Sequence, residues 1–166
     1  MKKVILFLMI TLNVITYSRM SVYVGDREIL HSRKFHEGIR LYSDSVSTRQ
    51  LAIIRREGEV LRLYKGDSKK RPEANIRGSR GSVRIFSGKT MNPLLYNARE
   101  HKGVIRVYRG ASKEEQVLSI RKHGNEMKVY KGMRQSQPVA GIRIRSGEYS
   151  MAELMGVLIQ AGILRV

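Results

Sequence analysis

Ten cations recur at a fixed step of 22 residues, and they are the side chains with the most evident chemistry in this sequence. Arg40, Arg62, Arg84, Arg106 and Lys128 form one series, and Arg55, Arg77, Arg99, Arg121 and Arg143 form a second. Two residues beyond each member of the first series stands an aromatic ring: Tyr42, Tyr64, Phe86, Tyr108 and Tyr130. Residues two apart on a strand share a face, so this spacing sets each cation beside a ring. Such a surface binds sulfate, phosphate or carboxylate through its cations, while its rings stack on sugars or bases. Arg and Tyr also suit a solvated strand face with no ligand at all. The second Arg series favours binding, because strand physics does not ask for Arg in every copy.

The same spacing supplies no reaction centre. His101 and His123 occupy one turn position in successive copies, too far apart to share a metal ion. His31 and His36 are expected on opposite faces of a strand, and Glu57, Glu59 and Glu126 in solvated turns. No nucleophile has a base fixed near it, so neither enzymatic activity nor a metal or cofactor is expected. Gly78-Ser79-Arg80-Gly81-Ser82 looks like a phosphate-cradling loop, but it fills a hairpin-turn slot and no Lys-Ser/Thr helix start follows. The chain has no cysteine, which excludes disulfides, thiol catalysis and a lipid anchor on a cysteine.

Charge agrees with the series. Lys and Arg number 32 against 14 Asp and Glu, a formal charge of +18, which points to an anionic polymer or an anionic surface as partner. Residues 1–18 read as an export signal: Lys2 and Lys3, an apolar run from Val4 to Ile15, then Thr16-Tyr17-Ser18. The apolar run falls short of the ~20 residues of a spanning helix, so no transmembrane segment is expected in the mature chain. A secreted or periplasmic protein is implied. Its partner would be envelope polysaccharide, lipopolysaccharide, glycosaminoglycan or nucleic acid, and the alternative role is a structural or protein-interaction module of the cell envelope.

The elements that must carry these residues follow from the repeat. Around each cation of the first series the alternation has period two, as in Leu61-Arg62-Leu63-Tyr64 and Val83-Arg84-Ile85-Phe86, the signature of a half-buried strand. Gly66, Gly88, Gly110 and Gly132 end it, Asp44 holds the same slot in the first full copy, and a turn with positive φ is predicted there. A second strand precedes the first, marked by Ala52 and Ile54, Ala74 and Ile76, Leu118 and Ile120, and Ala140 and Ile142, with Tyr96 and Ala98 in the fourth copy. Val22-Tyr23-Val24-Gly25 is a shortened first copy. A loop at residues 57 and 58 would place Ile54 opposite Leu61 and Ala52 opposite Leu63, with the apolar residues on one face. Pro72, Pro93 and Pro138 all fall in connectors between hairpins.

The predicted fold is all-β: tandem hairpin repeats in an antiparallel meander of roughly twelve strands over residues 19–149. A parallel solenoid would stack like cations ~4.8 Å apart, whereas the meander sets equivalent strands ~9.6 Å apart, where salt screens them. A transmembrane barrel is disfavoured because strands of about six residues are shorter than the ~9 to 11 needed. Closed barrel, trefoil-like arrangement and twisted open sheet all remain open at this stage. Residues 150–166 differ: Ser150 and Glu153 have the spacing of a capping box, and an apolar run follows from Leu154 to Ile159. Gly162 is a stop signal, and Ile163-Leu164-Arg165-Val166 is a candidate last strand. This short helix is expected to cover the apolar face or an open edge of the sheet, with a protein-docking role as the sharper alternative.

Overall fold

The computed structural model describes residues 19–43, 48–79, 81–88, 90–133 and 136–166. The predicted leader, Asp44 and Arg80 lie outside the described residues. Twelve strands follow one another in the chain: β1 (Arg19–Val24), β2 (Arg27–Phe35), β3 (Gly38–Tyr42), β4 (Gln50–Glu57), β5 (Val60–Lys65) and β6 (Pro72–Ser79), then β7 (Ser82–Ser87), β8 (Leu94–His101), β9 (Val104–Arg109), β10 (Gln116–His123), β11 (Glu126–Lys131) and β12 (Ala140–Ser146). Every strand pairs antiparallel with its sequence neighbours, and β1 pairs with β12, so the meander is a closed barrel. Closure leaves no exposed sheet edge. The pairing of β12 with β1 also completes a sixth hairpin-like unit, in which Arg143 faces Ser21.

The period-two pattern sorts the two faces as the sequence implies. Leu41, Leu63, Ile85, Val107 and Val129 all point inward and are wholly buried. This aliphatic lumen within a charged exterior is the reverse of what a lipid-facing barrel requires. The repeat glycines have φ between 57° and 60° at Gly66, Gly88, Gly110 and Gly132, the left-handed turn their slot demands.

The hairpin register differs from the sequence expectation by two residues. The loop between β4 and β5 is Gly58 and Glu59, so Ile54 lies opposite Leu63 and Arg55 lies opposite Arg62. Gly58 supplies the positive φ of 62° at the first loop position, which moves the turn one residue along. A one-residue shift of the loop moves the register by two, so each residue keeps its face and changes only its partner.

Barrels of about eight strands are filled by their own side chains, and twelve leave a lumen that something else must fill. Here it is α1 (Met151–Gln160), which opens with Ser150 accepting from the Glu153 N–H while the Glu153 carboxylate accepts from the Ser150 N–H. Leu154, Met155, Val157 and Leu158 have no exposed surface, and burying each contributes about 1.5–3 kcal/mol. The helix therefore covers the apolar face, as expected, but from inside a closed wall. Gly156 allows its close approach, since a Cβ there would lie 2.6 Å from Ile54 Cδ1.

The chain beyond Gly162 is not a strand. The Ile163 and Leu164 N–H groups donate back to the Leu158 carbonyl, closing the helix end. A sealed sheet offers these residues no edge to join.

Candidate functional site

The register brings the two Arg series together on the outer wall. Along one row crossing four strands, Arg55 faces Arg62, Arg62 faces Asn75 and Asn75 faces Phe86. The same order of cation, cation, short or buried residue and ring recurs as Arg33, Arg40, Ile53 and Tyr64, as Arg77, Arg84, Asn97 and Tyr108, and as Arg99, Arg106, Ser119 and Tyr130. Arg121, Lys128, Gly141 and Tyr23 continue it, and Arg143, Ser21, His31 and Tyr42 close the circle with Ser21 in a cation's place. Six tilted rows thus form a basic belt around the barrel, with like charges directly opposed in five of them.

The belt tolerates that opposition unevenly. Glu57 pairs with Arg62 at 2.6 Å, Glu59 with Arg77 at 2.8 Å and Glu126 with Arg143 at 3.2 Å, while Glu37 pairs with Arg40. The turn carboxylates expected to be merely solvated are partners of belt cations. Their hydrogen bond is the largest cause holding the Glu37 carboxyl below its ordinary range and raising the Arg40 guanidinium further. By contrast Arg84, Arg99, Arg106, Arg121 and Lys128, on β7 to β11, have no ion pair among the described residues. These five cations are exposed or half-exposed, and their mutual repulsion is a cost that a neutralising anion would relieve.

The rings play a different part from the one their spacing suggests. Tyr64 is 3% exposed, Tyr42 7%, Tyr130 8% and Phe86 9%, so all but the half-buried Tyr108 lack an open face for a sugar or base. Nor does each cation lie over the ring on its own strand. The contacts run to rings on the neighbouring strand: Arg33 over Tyr42 at 5.3 Å, Arg55 over Tyr64 at 5.9 Å, Arg143 over Tyr23 at 4.5 Å and Arg40 over Phe35 at 4.6 Å. Diagonal neighbours across a hairpin are within reach of a long side chain. Burial is the chief cause raising the Tyr64 phenol, and its hydrogen bond to Glu57 adds to it.

A third series, at residues 53, 75, 97, 119 and 141, is invisible to a search for cations but keeps the same step of 22. These residues face outward, yet Ile53, Asn75 and Ser119 are each 1% exposed and Asn97 4%. The connectors fold over them. Asn97 Nδ2 donates to the Gly110 carbonyl at 2.6 Å and to the Ser112 carbonyl at 3.0 Å, and Asn75 makes the same pair of bonds to Gly88 and Thr90. Where the series holds Ile53 or Ser119, a Gln three residues earlier does the work: Gln50 donates to Gly66 at 2.9 Å and Gln116 to Gly132 at 2.7 Å. In these four units one amide fixes the repeat glycine's carbonyl by either of two routes, which ties down the connectors beside it.

His31 lies in this layer, unexposed and stacked on Tyr42 at 5.0 Å between ring centroids. Glu28 Oε1 is 3.5 Å from its Nδ1, which makes it a packed structural residue. His101 and His123 end β8 and β10 at the turns, and the described residues contain no cluster of metal-ligating side chains.

No family model matches the chain, and no curated protein matches it. Among solved structures the chain is similar to the crystal structure of a protein from Arabidopsis thaliana. The TM-score is 0.51 at 15% identity, covering 89% of this chain and 92% of that one. At that identity the likeness shows the fold alone.

Proposed function

We propose that this chain is a non-enzymatic binding module for a polyanion, and that the contact face is the β7 to β11 sector of the belt. The observation that carries the reading is the run of Arg84, Arg99, Arg106, Arg121 and Lys128 without an acidic partner among the described residues. Adjacent hairpins present these cations at strand spacings, a ladder suited to a linear chain of sulfates, phosphates or carboxylates. Burial of most of the rings favours recognition of charge over stacking, which ranks anionic polysaccharide ahead of unstacked bases.

Export belongs to the same proposal. The first strand begins at Arg19, so cleavage after Ser18 would remove the leader and leave all twelve strands intact. The alternative role as a protein-interaction module loses its sharpest form, because the helix residues proposed to dock a partner, Leu154 and Leu158, are enclosed by the barrel.

The test is retention on immobilised heparin as a function of salt. Replacing Arg84, Arg106 and Lys128 by Ala should lower the slope of log affinity against log salt by about two to three, the value for three released counterions. Replacing Arg40 and Arg62 should change it by less than one. Retention that ignores salt, or equal losses from the two sets, would reject the reading.

A further inference from the structure

One residue near each hairpin turn stands five positions before a belt cation, and where the contact is seen it touches that cation. Phe35 lies beneath the Arg40 guanidinium at 4.6 Å, and Glu57 pairs with Arg62 at 2.6 Å. The slot recurs at the step of 22 as Ser79, His101 and His123, and the cations that follow are Arg84, Arg106 and Lys128. Its occupant is therefore a ring, an acid, a hydroxyl and then twice a titratable base. Both histidines are exposed, and they end β8 and β10, inside the sector whose cations lack an ion pair among the described residues.

The charges around the two imidazoles are mostly positive. His101 lies opposite Val104 on β9, with Arg106 two residues further on, Arg99 two residues back on its own strand and Lys102 next in the turn. On its other side Arg99 faces Ser82 of β7, so His101 adjoins the turn before β7, where Gly81 accepts from the Glu100 N–H. Arg80 of that turn lies outside the described residues. His123 lies opposite Glu126 on β11, with Lys128 two residues further on and Arg121 two residues back on its own strand. Glu126 is taken by Arg143 at 3.2 Å. On the β9 side Arg121 faces Val104, so Lys102 and Gly103 of the turn come next. Glu100 and Lys122, the chain neighbours, line the hairpin-end mouth of the barrel instead.

A neutral imidazole adds nothing to this field, whereas an imidazolium adds a full charge that a polyanion lying on the belt favours. Protonation and polyanion binding must then strengthen one another, because linkage is reciprocal. We infer that His101 and His123 gate the belt by pH, adding two cations to the β7 to β11 face as the medium acidifies. The inference rests on the polyanion reading and supplies its regulation. The sector of β3 to β6 has no such control, since its slots hold Phe35 and Glu57.

Retention on dextran sulfate, whose sulfates stay ionised throughout, is measured against salt at about pH 7.5 and about pH 5.5, on either side of the ordinary histidine range. For the parent the slope of log affinity against log salt should steepen by about one to two at the lower pH, the value for two more released counterions. Changing His101 and His123 together to Gln should remove that steepening. His36→Gln, at an exposed position in the turn before β3, should keep it. Salt-dependent retention with one slope at both pH values would overturn the inference and leave the belt reading standing. Steepening that survives the double change would do the same. Retention that ignores salt at both pH values would remove the belt reading, and this inference with it.

Discussion

Two sectors of the same belt carry the same cations and differ in what faces them. On β3 to β6, Glu37, Glu57 and Glu59 occupy hairpin turns and pair with Arg40, Arg62 and Arg77. On β8 to β11 the turn slot of Glu57 holds His101 and His123, and that of Glu59 holds Gly103 and Asn125. A repeat therefore sets where cations stand, while single turn residues decide whether their charge is free to act. Mutual repulsion is relieved by carboxylates in one sector and by no acidic side chain among the described residues in the other.

The sharpest way to break this contrast is to transplant the acids. Changing His101 and His123 to Glu, the residue of the equivalent slot, should cut heparin affinity by roughly tenfold at moderate salt, as two cations are withdrawn. The reverse change, Glu57→Gln, should raise affinity about threefold by freeing Arg62, which retention on the same matrix would reveal. If neither change matters, the sectors are equivalent and the contrast is empty.

A second comparison concerns the two ways of tying down a connector. Asn97→Ser should destabilise the barrel by about 1–3 kcal/mol in urea unfolding, because the Gly110 and Ser112 carbonyls lose their donor. Adding Leu94→Gln rebuilds the arrangement of Gln116 and Ser119 in the same unit and should restore most of that loss. A double variant no more stable than the single one would show that the two routes are not interchangeable.

The smallest effect is on pH. The Tyr64 phenol is raised in the folded chain, first by burial and then by Glu57. A raised folded pKa means that this contribution is complete below the unfolded value near 10 and is lost as pH rises through the folded one. Thermal unfolding between pH 9 and 11 should fall less steeply for Tyr64→Phe than for the parent.

Much of this organisation was legible from spacing. The period of 22 located twelve strands, the glycine turns and both cation series, and the pair Ser150 and Glu153 located the helix start. Closure was not legible, because a meander of like units carries no mark of whether its first strand meets its last. The register missed by two because Glu57-Gly58 and Gly58-Glu59 are both acceptable loop pairs, and parity protects the face but not the partner. The layer at residues 53, 75, 97, 119 and 141 was missed for a different reason. Its residue types change from copy to copy while the hydrogen bond they serve is conserved in position, so only a search for equivalent acceptors would have found it.

Because Arg19 to Val24 hydrogen-bonds to Ala140 to Ser146, the ring cannot be joined until nearly the whole chain is available. The helix that plugs it comes later still in the sequence, after β12. A chain cut short of these residues must therefore carry unsatisfied strand borders and an unfilled greasy hollow, because β12 closes the wall and α1 fills it.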